Sequence, residues 1–224
     1  MPEIPKLTSL SSARSISEDQ ISSELPTTMT YDQPIIIRAP PKTNFWRKPP
    51  NIDDHNAATQ LISTPIDIHR FHSARVTVSA DWNTLYDQGG LILFFPEGDP
   101  TTWLKTGLEL VKEKLTAMSV DANPWSDVAL VPLEKEKGGK MTIQVEREVE
   151  EGKKLDGLHI FTVDGTGKKE AIRLDTSWFT HKIPNQKLLI GVYAGRPEVP
   201  EGEGRKDEEL VVTFEGFEVK LFDE

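Results

Sequence analysis

Apolar and polar residues alternate along much of this chain with a period of two. Val76, Val78 and Ala80 fall on one face of a segment. Met141, Ile143 and Val145 share a face, with Thr142, Gln144, Glu146 and Glu148 on the other. Successive side chains of an extended strand point to opposite sides, so this pattern predicts half-buried β-strands. Leu91–Phe95, Leu158–Val163 and Leu188–Tyr193 are apolar on both faces and predict central strands covered on two sides. Turn-forming pairs separate the segments: Asn123-Pro124, Gly138-Gly139, Asp156-Gly157, Asp164-Gly165 and Pro184-Asn185.

No convincing amphipathic helix interrupts the series. The best helical candidate, WLKTGLELVKEK from Trp103 to Lys114, carries Gly107 in its middle. It also alternates, with Leu104, Thr106, Leu108 and Leu110 on one side and Trp103, Lys105, Gly107 and Glu109 on the other, so the reading is strand. About a dozen such segments with regular turns predict an all-β fold, a two-sheet antiparallel β-sandwich. Near the C-terminus the parity slips: Val212 and Phe214 hold one phase, Phe217, Val219 and Leu221 the other. A bulge at Gly216 lets both halves face the core.

Composition divides the chain in two. Residues 1–33 are rich in Ser, Thr and Pro and are expected to form a disordered arm, which cannot bury enough apolar surface to offset chain entropy. Within it a short helix capped by Ser17 and a kinase site at Ser15-Ile16-Ser17-Glu18-Asp19 are candidates. The folded domain is expected over residues 34–224. A formal net charge of −10 argues against nucleic acid as a partner. The chain has no cysteine, which removes disulfides, thiolate–zinc sites and thiol nucleophiles from consideration. There is no signal-like apolar core and no stretch long enough to span a bilayer, so the expected setting is cytoplasmic, with no membrane partner.

The polar knot Tyr86-Asp87-Gln88-Gly89-Gly90 poses the main chemical question. Its glycines precede a strand, whereas a phosphate loop needs a helix N-terminus to supply donors and dipole. It therefore reads as a connection from which Asp87 and Gln88 point into a groove. The stretches DWNTLYDQGGLIL, WLKTGLELVKEKLTAMSV, WSDVALV, LHIFTVDG and LLIGVYAG resemble the fungal regulation-of-enolase family, part of a wider domain-of-unknown-function group with a concanavalin A-like lectin/glucanase fold. The resemblance covers about Pro40 to the C-terminus. It implies a jelly-roll sandwich with a concave sheet, and it carries over no catalytic residue.

On such a concave face, aromatic rings stack on sugars while amides, carboxylates and ammonium groups orient hydroxyls. Trp103, Lys105 and Glu109 share the outward face of one strand, and Trp125 and Asp127 repeat the theme two strands on, with Val128 and Leu130 opposite. Gln88 and Tyr193 complete the expected ligand-binding groove. Glycoside hydrolysis needs two opposed carboxylates, and the Glu-x-Asp-x-x-Glu strand of laminarinase-like enzymes is missing. The five histidines show no metal spacing. No cofactor is expected. Calcium is left open by the oxygen ligands of Asp53-Asp54-His55-Asn56, although these lack the spacing of a dedicated loop. The acidic run EGEGRKDEE, Glu201 to Glu209, reads as a hairpin or as a docking loop for a basic partner.

The expected function is non-enzymatic recognition of a carbohydrate or protein partner. By the family resemblance that partner includes a glycolytic enzyme, with a link to the regulation of enolase. Two alternatives stand beside it: a glycoside-active enzyme of this fold, and a purely structural interaction domain.

Overall fold

The computed structural model of the chain describes residues 27–97, 102–133, 139–176, 178–179 and 186–223. The expected arm, its kinase site and its capped helix lie outside the described residues, except that the first strand, Thr28–Tyr31, stands ahead of Pro34.

The strands run β1 (Thr28–Tyr31), β2 (Ile35–Ala39), β3 (Phe45–Lys48), β4 (Ile52–His55), β5 (Ala58–Leu61) and β6 (Ile66–Asp67). Longer strands follow: β7 (Phe71–Ala80), β8 (Gln88–Phe95), β9 (Thr102–Val111), β10 (Lys114–Ala122) and β11 (Ser126–Pro132). The chain closes with β12 (Lys140–Glu150), β13 (Lys153–Val163), β14 (Lys169–Asp175), β15 (Lys187–Gly195) and β16 (Leu210–Leu221). All recorded pairings between strands are antiparallel. One sheet has the order β1-β16-β7-β12-β13-β14, with β2 also on β16; the second has β11-β10-β9-β8-β15-β5, with β6 also on β15. A hairpin of β3 and β4 stands apart from both. Among the described residues no helix is long and apolar enough to cross a membrane.

The main core lies between the sheets. Val76, Val78, Met141, Ile143 and Val145 from the first meet Leu91, Leu93, Leu104, Leu108 and Val192 from the second. Burying each such side chain stabilises the fold by roughly 1.5–3 kcal/mol, so the alternation read from sequence fixes which way each strand faces. At the C-terminus the expected bulge is present. Gly216 has φ +60°, the pairing of β16 with β7 shifts between Glu215 and Glu218, and Phe214 and Phe217 are both buried. The candidate helix is instead a hairpin of β9 and β10, turning at Lys112 and Glu113 with φ +47° and +64°. Both central residues of a tight two-residue turn adopt positive φ, and here neither is the usual Gly or Asn.

A second, smaller core explains why β8 and β15 read as apolar on both faces. Ile92, Trp103, Met118, Val120, Ala122 and Tyr193 lie on the outer face of the second sheet. Phe45 and Ala57 cover them, and the hairpin β3–β4 lies across this face. Arg47 fastens it there: its backbone N–H donates to Ser126 Oγ, its Nε to Asp53 and its NH1 to the Pro124 carbonyl.

Candidate functional site

The polar knot is first a structural clamp. Tyr86 takes φ +65°, its N–H donates to the Leu110 carbonyl, and the chain turns into β8. Asp87 is fully buried and does not enter the outer face. Its two carboxylate oxygens each accept a bond of 2.8 Å from Arg196, which is 1% exposed. Oδ2 also accepts the backbone N–H groups of Asn83 and Thr84. Arg196 in turn donates to the Glu208 carbonyl and to Asn83 Oδ1. The acidic run is therefore tied down at Glu208, which also pairs with Arg205.

The next residue points the other way. Register places Gln88 opposite Glu109, Gly90 opposite Gly107, and Ile92 opposite Lys105, with Tyr193 opposite Gly90 on the far side. Gln88, Lys105, Glu109 and Tyr193 thus share the outer face around a pair of glycines. The close backbone approach demands glycine there: a Cβ at Gly107 would lie 2.0 Å from the Gly89 carbonyl oxygen, and one at Gly90 2.0 Å from that of Thr106. Lys105 Nζ donates to Gln88 Oε1 at 2.6 Å and stands 5.9 Å from the centre of the Tyr193 ring. Gln88 Nε2 donates to Asn44 Oδ1, just ahead of β3.

Burial sets the electrostatics. Lys105 is 2% exposed, and desolvation lowers its pKa to about 8 against the opposing pull of Glu109. Glu109 is half-buried; desolvation raises its pKa, opposed by Lys105. The Tyr193 phenol is pushed well above its ordinary value by burial and by the Glu109 charge. Its hydroxyl, like the Trp103 indole N–H, is buried without a hydrogen-bond partner. The site offers an ammonium, a carboxyl, an amide and a phenol, with the half-buried carboxyl as the accessible member.

Most of the expected groove residues need correction. Gln88, Lys105 and Tyr193 do face the outer side, but at 1%, 2% and 0% exposed they present no open groove surface. Trp103 faces outward but is 1% exposed, its ring 5.6 Å from that of Phe45, so it holds the hairpin down and presents no stacking surface. Trp125 is 44% exposed and precedes β11, at the end of the sheet where Ser126, Ala122 and Trp103 align, six residues along β9 from Glu109. Asp127 lies on the reverse face. It pairs with Asp121, whereas Val128 and Leu130 stand opposite Val120 and Met118 of the outer core. Asp127 accepts from Arg173 of β14 at 3.0 Å, joining the two sheets at their rim. Its parity was misjudged because nothing in the segment itself fixes which face is covered.

Sequence reasoning missed Asn44, Phe45 and Arg196, whose roles depend on partners far along the chain. The Asp53-Asp54-His55-Asn56 run falls largely in β4, where Asp53 serves Arg47. Among the described residues no group of three or more His, Asp or Glu is placed to hold a metal ion. The acidic alternation Glu146, Glu148, Glu150 lies on the outer face of the other sheet, with Glu146 paired to Lys169 and Glu148 facing His159.

Residues 24–221 match the family described as protein of unknown function (DUF1349). The chain belongs to the DUF1349 family. A relative, the uncharacterized protein AN7484 of Emericella nidulans, is 35% identical over 84% of this chain and 86% of its own. Among solved structures, a functionally unknown protein from Saccharomyces cerevisiae superposes with a TM-score of 0.63 at 19% identity, covering 88% of this chain and 98% of that one. The laminarinase catalytic domain from Thermotoga maritima MSB8 superposes with a TM-score of 0.51 at 12% identity, covering 88% and 81%. At these identities the likeness is one of fold: the DUF1349 chain shares the lectin/glucanase-type sandwich.

Proposed function

We propose that this DUF1349 protein is a recognition module whose site is the Gln88–Lys105–Glu109–Tyr193 group, and that it binds a hydroxyl-rich ligand of the carbohydrate class. The observation that carries the reading is the buried Lys105 beside Glu109, with the Tyr193 hydroxyl buried and unpartnered. A fold gains nothing from a desolvated ammonium and an orphaned hydroxyl, and such departures concentrate at functional sites. Half-buried Glu109 is the member a sugar hydroxyl reaches, and Gln88, Lys105 and Tyr193, 0–2% exposed, lie beneath it and set its charge and position. Half-buried Trp46 and Phe94 border the same apolar cluster and offer ring surface in place of Trp103.

The enzyme alternative draws no support from this face. Hydrolysis of a glycoside uses two carboxyls about 5–9.5 Å apart. Among the described residues of the strands in this sheet, the outer face carries Glu109 and Asp67, and Asp67 stands against Lys187, eight residues along β15 from the Gly195 that aligns with Gln88 and Glu109, roughly 26 Å at the strand rise and far beyond that separation. Regulation of a cytoplasmic glycolytic enzyme such as enolase is the partner-level extension of the proposal; its support is the family resemblance, and no side chain of the site favours it.

The test is a glycan array followed by calorimetry with wild type, Glu109→Gln and Glu109→Met. Both changes keep side-chain size, which Trp103→Ala would not. The expected result is a bound glycan whose affinity falls at least about tenfold, a loss of ~1.4 kcal/mol, in either variant while the melting temperature holds. No glycan bound, or equal binding by all three proteins, overturns the reading.

A further inference from the structure

The free edge of the second sheet is built for pairing. Among the described residues, β11 has β10 on one side and no strand on the other. The Leu133 N–H donates to the Leu115 carbonyl at 3.0 Å, in continuation of the β10–β11 register. Hydrogen-bonded and non-bonded pairs alternate along an antiparallel ladder. Asp127, Ala129 and Val131 therefore turn their backbone groups toward β10, while Ser126, Val128, Leu130 and Pro132 turn theirs outward. Pro132, which has no N–H, stands where an edge strand tolerates it.

Natural edge strands are blunted by charge, and β14, at the matching rim of the other sheet, carries Lys169, Glu170, Arg173 and Asp175. β11 carries Asp127 as its one charged residue, and Arg173 neutralises it at 3.0 Å. Trp125, Val128, Leu130 and Val131 are each 40–44% exposed within this short segment. In a chain of net charge −10 this strip carries no uncompensated charge, so repulsion between two copies is smallest there.

We propose that β11 pairs antiparallel with β11 of a second copy, about a two-fold axis at Ala129. That register sets Val128 against Leu130 of the second copy, and Leu130 against its Val128. Both are outward-bonding positions, and both side chains lie on the outer face beside Met118 and Val120. The two Asp127 carboxylates stand four residues apart, roughly 13 Å at the strand rise. The interface is isologous and closes as a dimer. With the axis normal to the sheet, the two outer faces lie on the same side, so the assembly presents two copies of the Lys105–Glu109 site together, the arrangement that gives avidity for a repeating ligand.

The experiment uses the full chain. Sedimentation velocity across roughly 1–300 µM, the span in which a small edge contact associates, is expected to show a monomer–dimer equilibrium that Leu130→Lys weakens at least tenfold with unchanged melting. Ala129→Cys supplies an independent readout in a chain without cysteine. Its two copies meet at a non-bonded pair about 4.5 Å apart between Cα atoms, within disulfide reach, and a covalent dimer forms on mild oxidation. A chain monomeric throughout, a dimer indifferent to Leu130→Lys, or a dimer that Ala129→Cys does not crosslink overturns the proposal.

Discussion

Replacing Asp87 by Ala removes the anion from a fully buried cage. The carboxylate is fully buried, and its partner Arg196 is 1% exposed and held at two points, each 2.8 Å. Breaking a buried pair by removing one member leaves an uncompensated charge and costs about 3–5 kcal/mol. The Asn83 and Thr84 N–H groups lose their acceptor as well, adding about 1 kcal/mol each where water does not replace it. Against a total stability of ~5–15 kcal/mol this is a large fraction. At about 2–4 °C per kcal/mol for a chain of this size, Asp87→Ala is expected to melt roughly 10–20 °C lower. Urea titration followed by tryptophan fluorescence measures it as a fall in midpoint at constant slope. The double change Asp87→Leu, Arg196→Met separates charge from shape: with both charges gone, most of the loss is expected to return. A loss below about 1 kcal/mol in Asp87→Ala, or a double variant no better than the single, would refute the clamp as the organiser of this corner.

The buried lysine predicts the opposite sign. Its folded pKa of about 8 lies below the unfolded 10.5, so the unfolded chain binds more protons between those values and this group's contribution to stability rises with pH there. Below pH 8 the full penalty applies, at most ~3 kcal/mol at ~1.4 kcal/mol per pH unit. Lys105→Met is expected to raise the urea midpoint at pH 7 and to remove the extra slope between pH 8 and 10, while abolishing ligand binding; an unchanged slope counts against the burial argument. Trp103→Ala, by contrast, empties the small core beneath Phe45 and is expected to cost about 3–5 kcal/mol. Limited proteolysis should then cut near β3–β4, and a fully stable variant would mean the hairpin is held by Arg47 alone.

The pattern of side chains along the chain was enough for the strands, the faces of the central ones and the parity slip at Gly216, because burial between two sheets selects alternation residue by residue. It also placed Lys105 and Glu109 on one face, since two positions four apart on one strand must agree, while the β8–β9 register is what brings Gln88 beside them. What lies above that face was beyond its reach. Phe45 meets Trp103 across 58 residues of sequence, and nothing local to Trp103 distinguishes a ring that stacks on ligand from one that anchors a hairpin. Asp127 and Val128 could not be sorted because an edge strand with both faces half-exposed carries a weak register signal. Asp87 finds Arg196 across 109 residues, a contact that only chain closure creates. Local alternation is dictated by backbone geometry and is written in neighbouring residues; the covering of a face is decided by distant segments competing for it, and that competition is settled only in three dimensions.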